Sequence, residues 1–383
     1  MIKVFQPWLE EEEKKKLAQC IDDNWITGGP RVKEFEKEIA RLTDSRYTIS
    51  CMNGTMALYM GLSAMELGKT GYYEVIVPDF TFIASANSIV LAGGHPVFCD
   101  VKRDTMNIDV NSAAKCITPW TRAIMPVHIY GQAANMDEVR EFAEKYHLKI
   151  IEDAAQGVGV SWREKAVGTF GDVGIHSYYA DKTISTGEGG MILTNNPEIA
   201  EKCLRLKHQG RTGRGWYFHN EIGYNFRMTD LQASIGLAQL GKLSTIINRK
   251  KLHEIRYRTE LHIEQIEFPT NDSLSYSIPF RHNILVENPV KLGEYLLKHE
   301  IETKSFFYPL HLQPCYDDTH KGNGGSYRRD SNNFRNSIWL NEHGLSLPSS
   351  VTLTEEQIAI VCSTIKKYFK ENPNEDIHNH SNS

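Results

Sequence analysis

A chain of 383 residues exceeds what one hydrophobic core usually supports, so one large domain and a smaller one are expected. With 40% hydrophobic and 24% charged residues and a formal net charge of -5, the composition is that of an ordinary soluble protein, and it offers no overall field to attract a nucleic acid. The seven cysteines are odd in number, scattered and without a CxxC pair, and the fifteen histidines show no HxxxH or HExxH spacing, so neither a disulfide framework nor a metal site is indicated.

The start, MIKVFQPWLEEEEKKKL, lacks the apolar stretch of a signal peptide, and no later run reaches the roughly 20 apolar residues of a membrane span. A cytoplasmic protein with no membrane partner is expected. From about residue 54, TMALYMGLSAMEL reads as a helix, EVIVPDF as a buried strand, TFIASANSIVLAG as a second helix and PVFCDV as the next strand. RAIMPVHIYG, MDEVREFAEKYH and LKIIEDA continue the alternation. This order predicts an α/β fold with a largely parallel sheet covered on both faces, in which ligands lie beyond the carboxyl ends of the strands. The segment HSYYADKTISTGEGGMILTNN reads as a strand end, a polar link and a Gly-rich turn entering another strand. One long polar helix over 229–262 is expected to leave the first domain, followed by shorter elements such as SIPFRHNILV and PVKLGEYLLKHEI. The predicted division is therefore a large domain over 1–240, N-terminal segment included, a smaller C-terminal α+β domain over 241–371, and a disordered tail over 372–383. YDDTHKGNGGSYRRDSNN is rich in Gly, Asn and charge, and reads either as a surface loop able to close over a ligand or as a plain connector.

Chemistry concentrates in the polar residues that end these strands. Lys182 taken alone is an ordinary surface charge, but Gly187, Gly189 and Gly190 around Glu188 permit a tight turn and a close backbone approach. A lysine that forms a Schiff base must be substantially neutral when it attacks, which burial or nearby positive charge favours. Asp153 follows an apolar strand; such residues are common, yet the pyridine nitrogen of pyridoxal phosphate (PLP) needs an anionic partner of this kind. Gln156 suits a hydrogen bond to the ring's phenolic oxygen or a plain helix start. Asn53, Gly54 and Thr55 precede the first helical run and form either a phosphate cradle or an ordinary N-cap. Ser177 offers a further hydroxyl, and Phe82, where a strand turns into a helix, is a stacking or a core aromatic.

Six segments in this order, NGTMAL, VPDFTFIASANSI, PVHIYGQAANMDEV, IEDAAQGVGV, VGTFGDVGIHSYYADKTISTGEGGM and EIGYNFRMTDLQASIGLAQL, resemble the DegT/DnrJ/EryC1 family of sugar aminotransferases. The likeness is strong over residues 5–240 and fainter beyond, through FFYPLHLQPCY and LSLPSS; within the family it points to nucleotide-sugar 4-aminotransferases. The resemblance implies a fold-type I PLP-dependent transferase with a mostly parallel mixed sheet, a homodimer with active sites shared at the subunit interface. It further implies transfer of an amino group from glutamate to the C4 keto carbon of a nucleotide-linked 4-keto-6-deoxy sugar. By motif, Lys182 carries PLP as a Schiff base and shuttles the proton as base and then acid. Asp153 pairs with the pyridine nitrogen and Phe82 stacks on the ring. Gly54, Thr55 and Ser177 hold the phosphate, and Asn225 reaches it from the neighbouring subunit. Tyr308 and His311 match a substrate-facing loop, and Arg227 suits a nucleotide diphosphate; a buried tyrosine, a structural histidine and a surface ion pair are the alternatives. Relatives acting as sugar 3-dehydratases have a histidine where Lys182 stands, which favours transamination here. A C3 aminotransferase, a PLP-dependent sugar dehydratase and a non-catalytic regulatory protein on the same fold are the competing readings. Met52, where relatives commonly have serine, and the region 317–343 depart from the family pattern.

Overall fold

The computed structural model describes residues 1–69, 71–211, 217–316, 334–375 and 377. Its centre is a seven-stranded sheet in the spatial order Tyr47–Cys51, Gly190–Thr194, Val173–Ser177, Lys149–Asp153, Thr121–Ile124, Glu74–Pro78 and His95–Cys99. Every pairing from Val173–Ser177 outward to His95–Cys99 is parallel, and only Gly190–Thr194 runs against its two neighbours. The strands are buried on both faces, which is why they read as unbroken apolar runs. Along one strand Val75 and Val77 point into a core shared with the helix Gly54–Ala64, while Ile76 points into the core under Met136–Lys145.

The helix expected over 229–262 is instead two helices, Asp230–Gly241 and Leu243–Glu260. Lys242 between them leaves helical geometry at φ −112°, ψ 12°, next to a glycine, the weakest helix former after proline. Its side chain is drawn instead to the amino-terminal helix Glu11–Asp22, where Nζ lies 2.8 Å from Glu13 and over the Trp8 ring. The second helix runs on into a separate core, where Tyr257 packs with Leu292, Leu296, Ile358, Val361 and Ile365 against a small antiparallel sheet of His282–Leu285, Gly344–Leu347 and Lys304–Ser305. The first residues of the chain belong to this core: Ile2 pairs its backbone with Glu300 and Glu302, and Val4 accepts from Ser349.

The proposed closing loop, residues 317–333, lies outside the described residues; Tyr316 before it is buried against Phe98. Of the tail expected over 372–383, residues 372–375 and 377 are described. Glu375 accepts from Tyr368 Oη at 2.6 Å, and Ile377 is buried beside Phe80 and Val101, because an apolar residue there has a core to enter. Among the described residues no helix is long and apolar enough to cross a membrane.

One carboxylate ties the sheet to its turns. Glu152 is fully buried; Oε1 accepts from the backbone N–H groups of Phe170 and Gly171 at 2.6 and 2.7 Å, and Oε2 accepts from Gly168 N–H at 2.8 Å. His128 Nδ1 accepts from Ala134 N–H, so its Nε2–H donates to Glu152 at 3.1 Å. Removing this acceptor strands several buried donors. Glu152→Ala is expected to cost about 3 kcal/mol, read as a lower urea midpoint at unchanged slope; an unmoved midpoint would contradict the role.

Candidate active site

The reversal of one strand assembles the site. Because Gly190–Thr194 runs antiparallel, its first residue lies level with Cys51 and Ser177, the last residues of the flanking strands. The Gly-rich turn therefore opens at the same edge where the other strands end. A Cβ on Gly190 would lie 2.4 Å from Asn53 O, so only glycine lets this turn meet the start of the helix Gly54–Ala64. Gly187 takes φ +81°, as a tight turn requires.

At that helix start Asn53 is an N-cap, its Oδ1 accepting from Met56 N–H at 2.9 Å. Both readings of this segment coexist, since the cap uses one N–H and the first turn, Gly54 and Thr55, retains N–H groups that a helix itself never satisfies. A Cβ on Gly54 would lie 2.8 Å from Ser177 Cβ and 3.1 Å from its Oγ, so the serine packs directly against this helix start. Glycine is thus required to bring two backbone donors and a hydroxyl into one small cradle, a donor set suited to a phosphate.

Asp153 ends the strand next to the one that leads to Lys182. It is 5% exposed, and both oxygens are held: Oδ2 accepts from Ser85 Oγ at 2.6 Å and Oδ1 from Ala155 N–H at 3.1 Å. Donors on both oxygens fix the orientation of the carboxyl group at the strand end, where a pyridine nitrogen would need a partner of this kind. Gln156 is buried, with Oε1 accepting from Tyr130 N–H at 2.5 Å; its amide NH₂ is the end left to donate, as a phenolic oxygen would need. That bond also supports Tyr130 in the left-handed region at φ 52°, where a bulky residue is strained. Phe82 is more than half exposed; its carbonyl accepts from Ser85 N–H, so the ring stands one turn from the serine that grips Asp153. The residues present therefore fit PLP: a cradle for phosphate, an anion for the ring nitrogen, a donor for the ring oxygen and a free ring face.

Lys182 exposes 14% of its side chain, and burial pushes its amine below the ordinary lysine range, against the pull of Asp181 and Asp153. Its Nζ lies 4.5 Å from the centre of the Phe280 ring.

The remaining predicted residues divide. Tyr308 is half exposed, beside Phe307, which stacks on Tyr130 at 5.2 Å. His311 is buried, with Nδ1 2.7 Å from Asp79 Oδ2 and its backbone N–H on Asp79 Oδ1, so it pins the segment carrying Tyr308 to the sheet edge. Asn225 and Arg227 are exposed in this single chain; between them Phe226 O accepts from Met52 N–H at 2.9 Å, which places their segment beside the residues that lead into the helix Gly54–Ala64. Sequence reasoning missed Ser85, Tyr130, Asp79, Asp181 and Arg281. Asp181 lay beside Lys182 and could have been found by adjacency, and Asp79 follows the strand Glu74–Pro78 as Asp153 ends its own; Ser85, Tyr130 and Arg281 meet their partners only through the fold.

The chain matches the family model described as DegT/DnrJ/EryC1/StrS aminotransferase over residues 7–366. It is 36% identical to GDP-perosamine synthase of Vibrio cholerae over 375 residues, covering 96% of this chain and 99% of that one. Its fold matches a DegT DnrJ EryC1 StrS aminotransferase from Brucella abortus with a TM-score of 0.85 and 30% identity, over 93% of this chain and 95% of the other. DesV from S. venezuelae, solved in complex with a ketimine intermediate, matches with a TM-score of 0.85 and 28% identity over 93% and 94%. With the phosphate cradle, Asp153 and Lys182 brought to one sheet edge, these matches have one reading: the chain belongs to the DegT/DnrJ/EryC1/StrS family and is a PLP-dependent aminotransferase.

Proposed function

We propose that this chain transfers an amino group from glutamate to the C4 keto carbon of a nucleotide-linked 4-keto-6-deoxy sugar. The observation that carries the reading is a lysine amine held largely out of water and within electrostatic reach of Asp153, a buried, doubly hydrogen-bonded aspartate, at the edge of a parallel sheet where ligands bind. The relative named for GDP-perosamine synthesis, matched over nearly its whole length, supports a sugar nucleotide as acceptor; C4 is the position that the family resemblance implies. Glutamate is the donor that the family resemblance implies.

Bound PLP supplies an electron sink for the carbon that loses its proton. The chain's own groups do the rest. Lys182 Nζ holds the cofactor covalently and, once released, carries the proton from one carbon to the other, which a neutral amine can do and an ammonium cannot. Asp153 keeps the ring nitrogen protonated, Gln156 donates to the ring oxygen, and Gly54, Thr55 and Ser177 bind the phosphate. Phe82 covers one face of the ring and excludes water from it. Arg227 receives the nucleotide diphosphate, where a planar guanidinium matches paired phosphate oxygens. Tyr308 faces the sugar, with His311 holding its segment in place. Two copies complete each other's sites through Asn225. The apolar side chains of Tyr217, Phe218 and Ile222 in the same segment, 86%, 65% and 81% exposed, are the surface a second copy would cover.

Purified protein mixed with PLP is expected to turn yellow, and excess glutamate to bleach that colour. The bleached protein should then aminate a GDP-linked 4-keto-6-deoxy sugar, with nitrogen at C4 by NMR of the product. Nitrogen at C3 would overturn the regiochemistry, and colour that glutamate leaves unchanged would overturn the aminotransferase half-reaction. Lys182→Ala should abolish the visible band from covalently held PLP and lower turnover at least about 10³-fold, with the circular dichroism spectrum unchanged. Asp153→Ala should cost about 10²-fold or more, since an anion fixed against developing charge is lost; a rate near that of the parent would remove Asp153 from the role of ring partner.

A further inference from the structure

Asp181, the residue before Lys182, is gripped from far along the chain. Arg281 Nη2 donates to Asp181 Oδ2 at 2.6 Å, and the arginine side chain is 5% exposed. The other carboxylate oxygen, Oδ1, is buried, accepts no hydrogen bond among the described residues, and lies 3.9 Å from Lys182 Nζ. The Phe280 ring closes the corner, 4.5 Å from Lys182 Nζ and 4.7 Å from the Arg281 guanidinium carbon. The backbone that presents Phe280 and Arg281 is itself fixed: Lys250 Nζ donates to the carbonyls of Pro279 and Phe280 at 3.1 and 3.4 Å, and Phe280 N–H donates to Tyr130 O at 2.9 Å.

A buried carboxylate oxygen without a donor is costly unless a donor comes to it during function. An amine released from a covalent bond is such a donor, and Oδ1 is within a small side-chain rotation of it. An unopposed carboxylate at this range would also hold the amine as an ammonium, useless as a base. The guanidinium on Oδ2 offsets that charge without occupying Oδ1.

We propose that Asp181, oriented and charge-balanced by Arg281, is a positioning residue that receives the Lys182 amine whenever that amine is not covalently engaged. The proposal rests on reading Lys182 as the cofactor-bearing lysine. The groups facing the amine are Asp181 and Asp153, which favour its charged form, and Arg281 and Lys304, which oppose it along with burial. The two members of the clamp therefore act in opposite directions on one measurable property.

The test uses the cofactor-free protein, so that its outcome is separate from catalysis. Lys182 is methylated with formaldehyde and cyanoborohydride across a pH series, and its peptide is quantified by mass spectrometry; only the neutral amine reacts. Asp181→Asn should shift the half-labelling pH of Lys182 down by about one unit, equivalent to tenfold more free amine at a given pH, and Arg281→Gln should shift it up. Should Arg281→Gln fail to fold, Asp181→Asn alone decides. A half-labelling pH in Asp181→Asn equal to the parent's overturns the proposal. Failure of the parent to take up PLP at Lys182 would overturn the functional reading instead, and that is seen in the visible spectrum without reference to this midpoint.

Discussion

Charge held away from water organises this molecule. Lys182 is mostly buried, and in a medium of low polarity its ammonium form is disfavoured while each nearby carboxylate draws it back. Asp153, buried in the same neighbourhood, has to be held in place. The structure meets both demands with fixed partners instead of solvent. Ser85 and the Ala155 backbone hold one carboxylate, Arg281 holds the other, and a second buried lysine, Lys250, anchors the strand approach that carries Arg281. Burial pushes Lys250 down to about 7, so the two carbonyls it donates to need not be matched by a full permanent charge.

The sheet makes such an arrangement possible by bringing different parts of the chain to one edge. Parallel strands all end on the same side, and the single reversed strand contributes its beginning there instead of its end. Residues from the start of the helix Gly54–Ala64, the fifth and sixth strands of the chain's central sheet and the turn after them thus meet at one edge. The cost is steric. Gly54 against Ser177 and Gly190 against Asn53 leave no room for a side chain, so the cradle is defined by backbone and by what is missing from it.

Much of this was legible in the chain itself, for physical reasons. Strands buried on both faces are continuous apolar runs, so the order of Glu74–Pro78, His95–Cys99 and Lys149–Asp153 could be read from composition alone. Lys182 and Asp153 stood out because strand ends and Gly-rich turns are where such sheets place chemistry. What could not be read were pairs joined only by folding. Arg281 meets Asp181 across 100 positions and Ser85 meets Asp153 across 68, and neither spacing carries a period. The break at Lys242 was hidden because the helical pattern runs straight through Gly241, while the cause, Glu13, lies at the other end of the chain. His311 was weighed as substrate-facing or structural; its hydrogen bonds to Asp79 commit the Nδ1 side of the ring to the scaffold.

The amino-terminal strap has a consequence for how the molecule is put together. Val4 N–H donates to Glu302 across 298 positions, with Ile2 paired to Glu300 and Glu302 and Gln6 O accepting from Ser350. Residues 2–6 are therefore synthesised long before their partners and must wait, unpaired, until most of the chain has been made. Because loop-closure entropy grows only slowly with length, the delay adds little to the equilibrium cost. Its weight is temporal: the smaller core takes an edge from a segment made long before the rest of it, and a cut near residue 241 would not release that core whole.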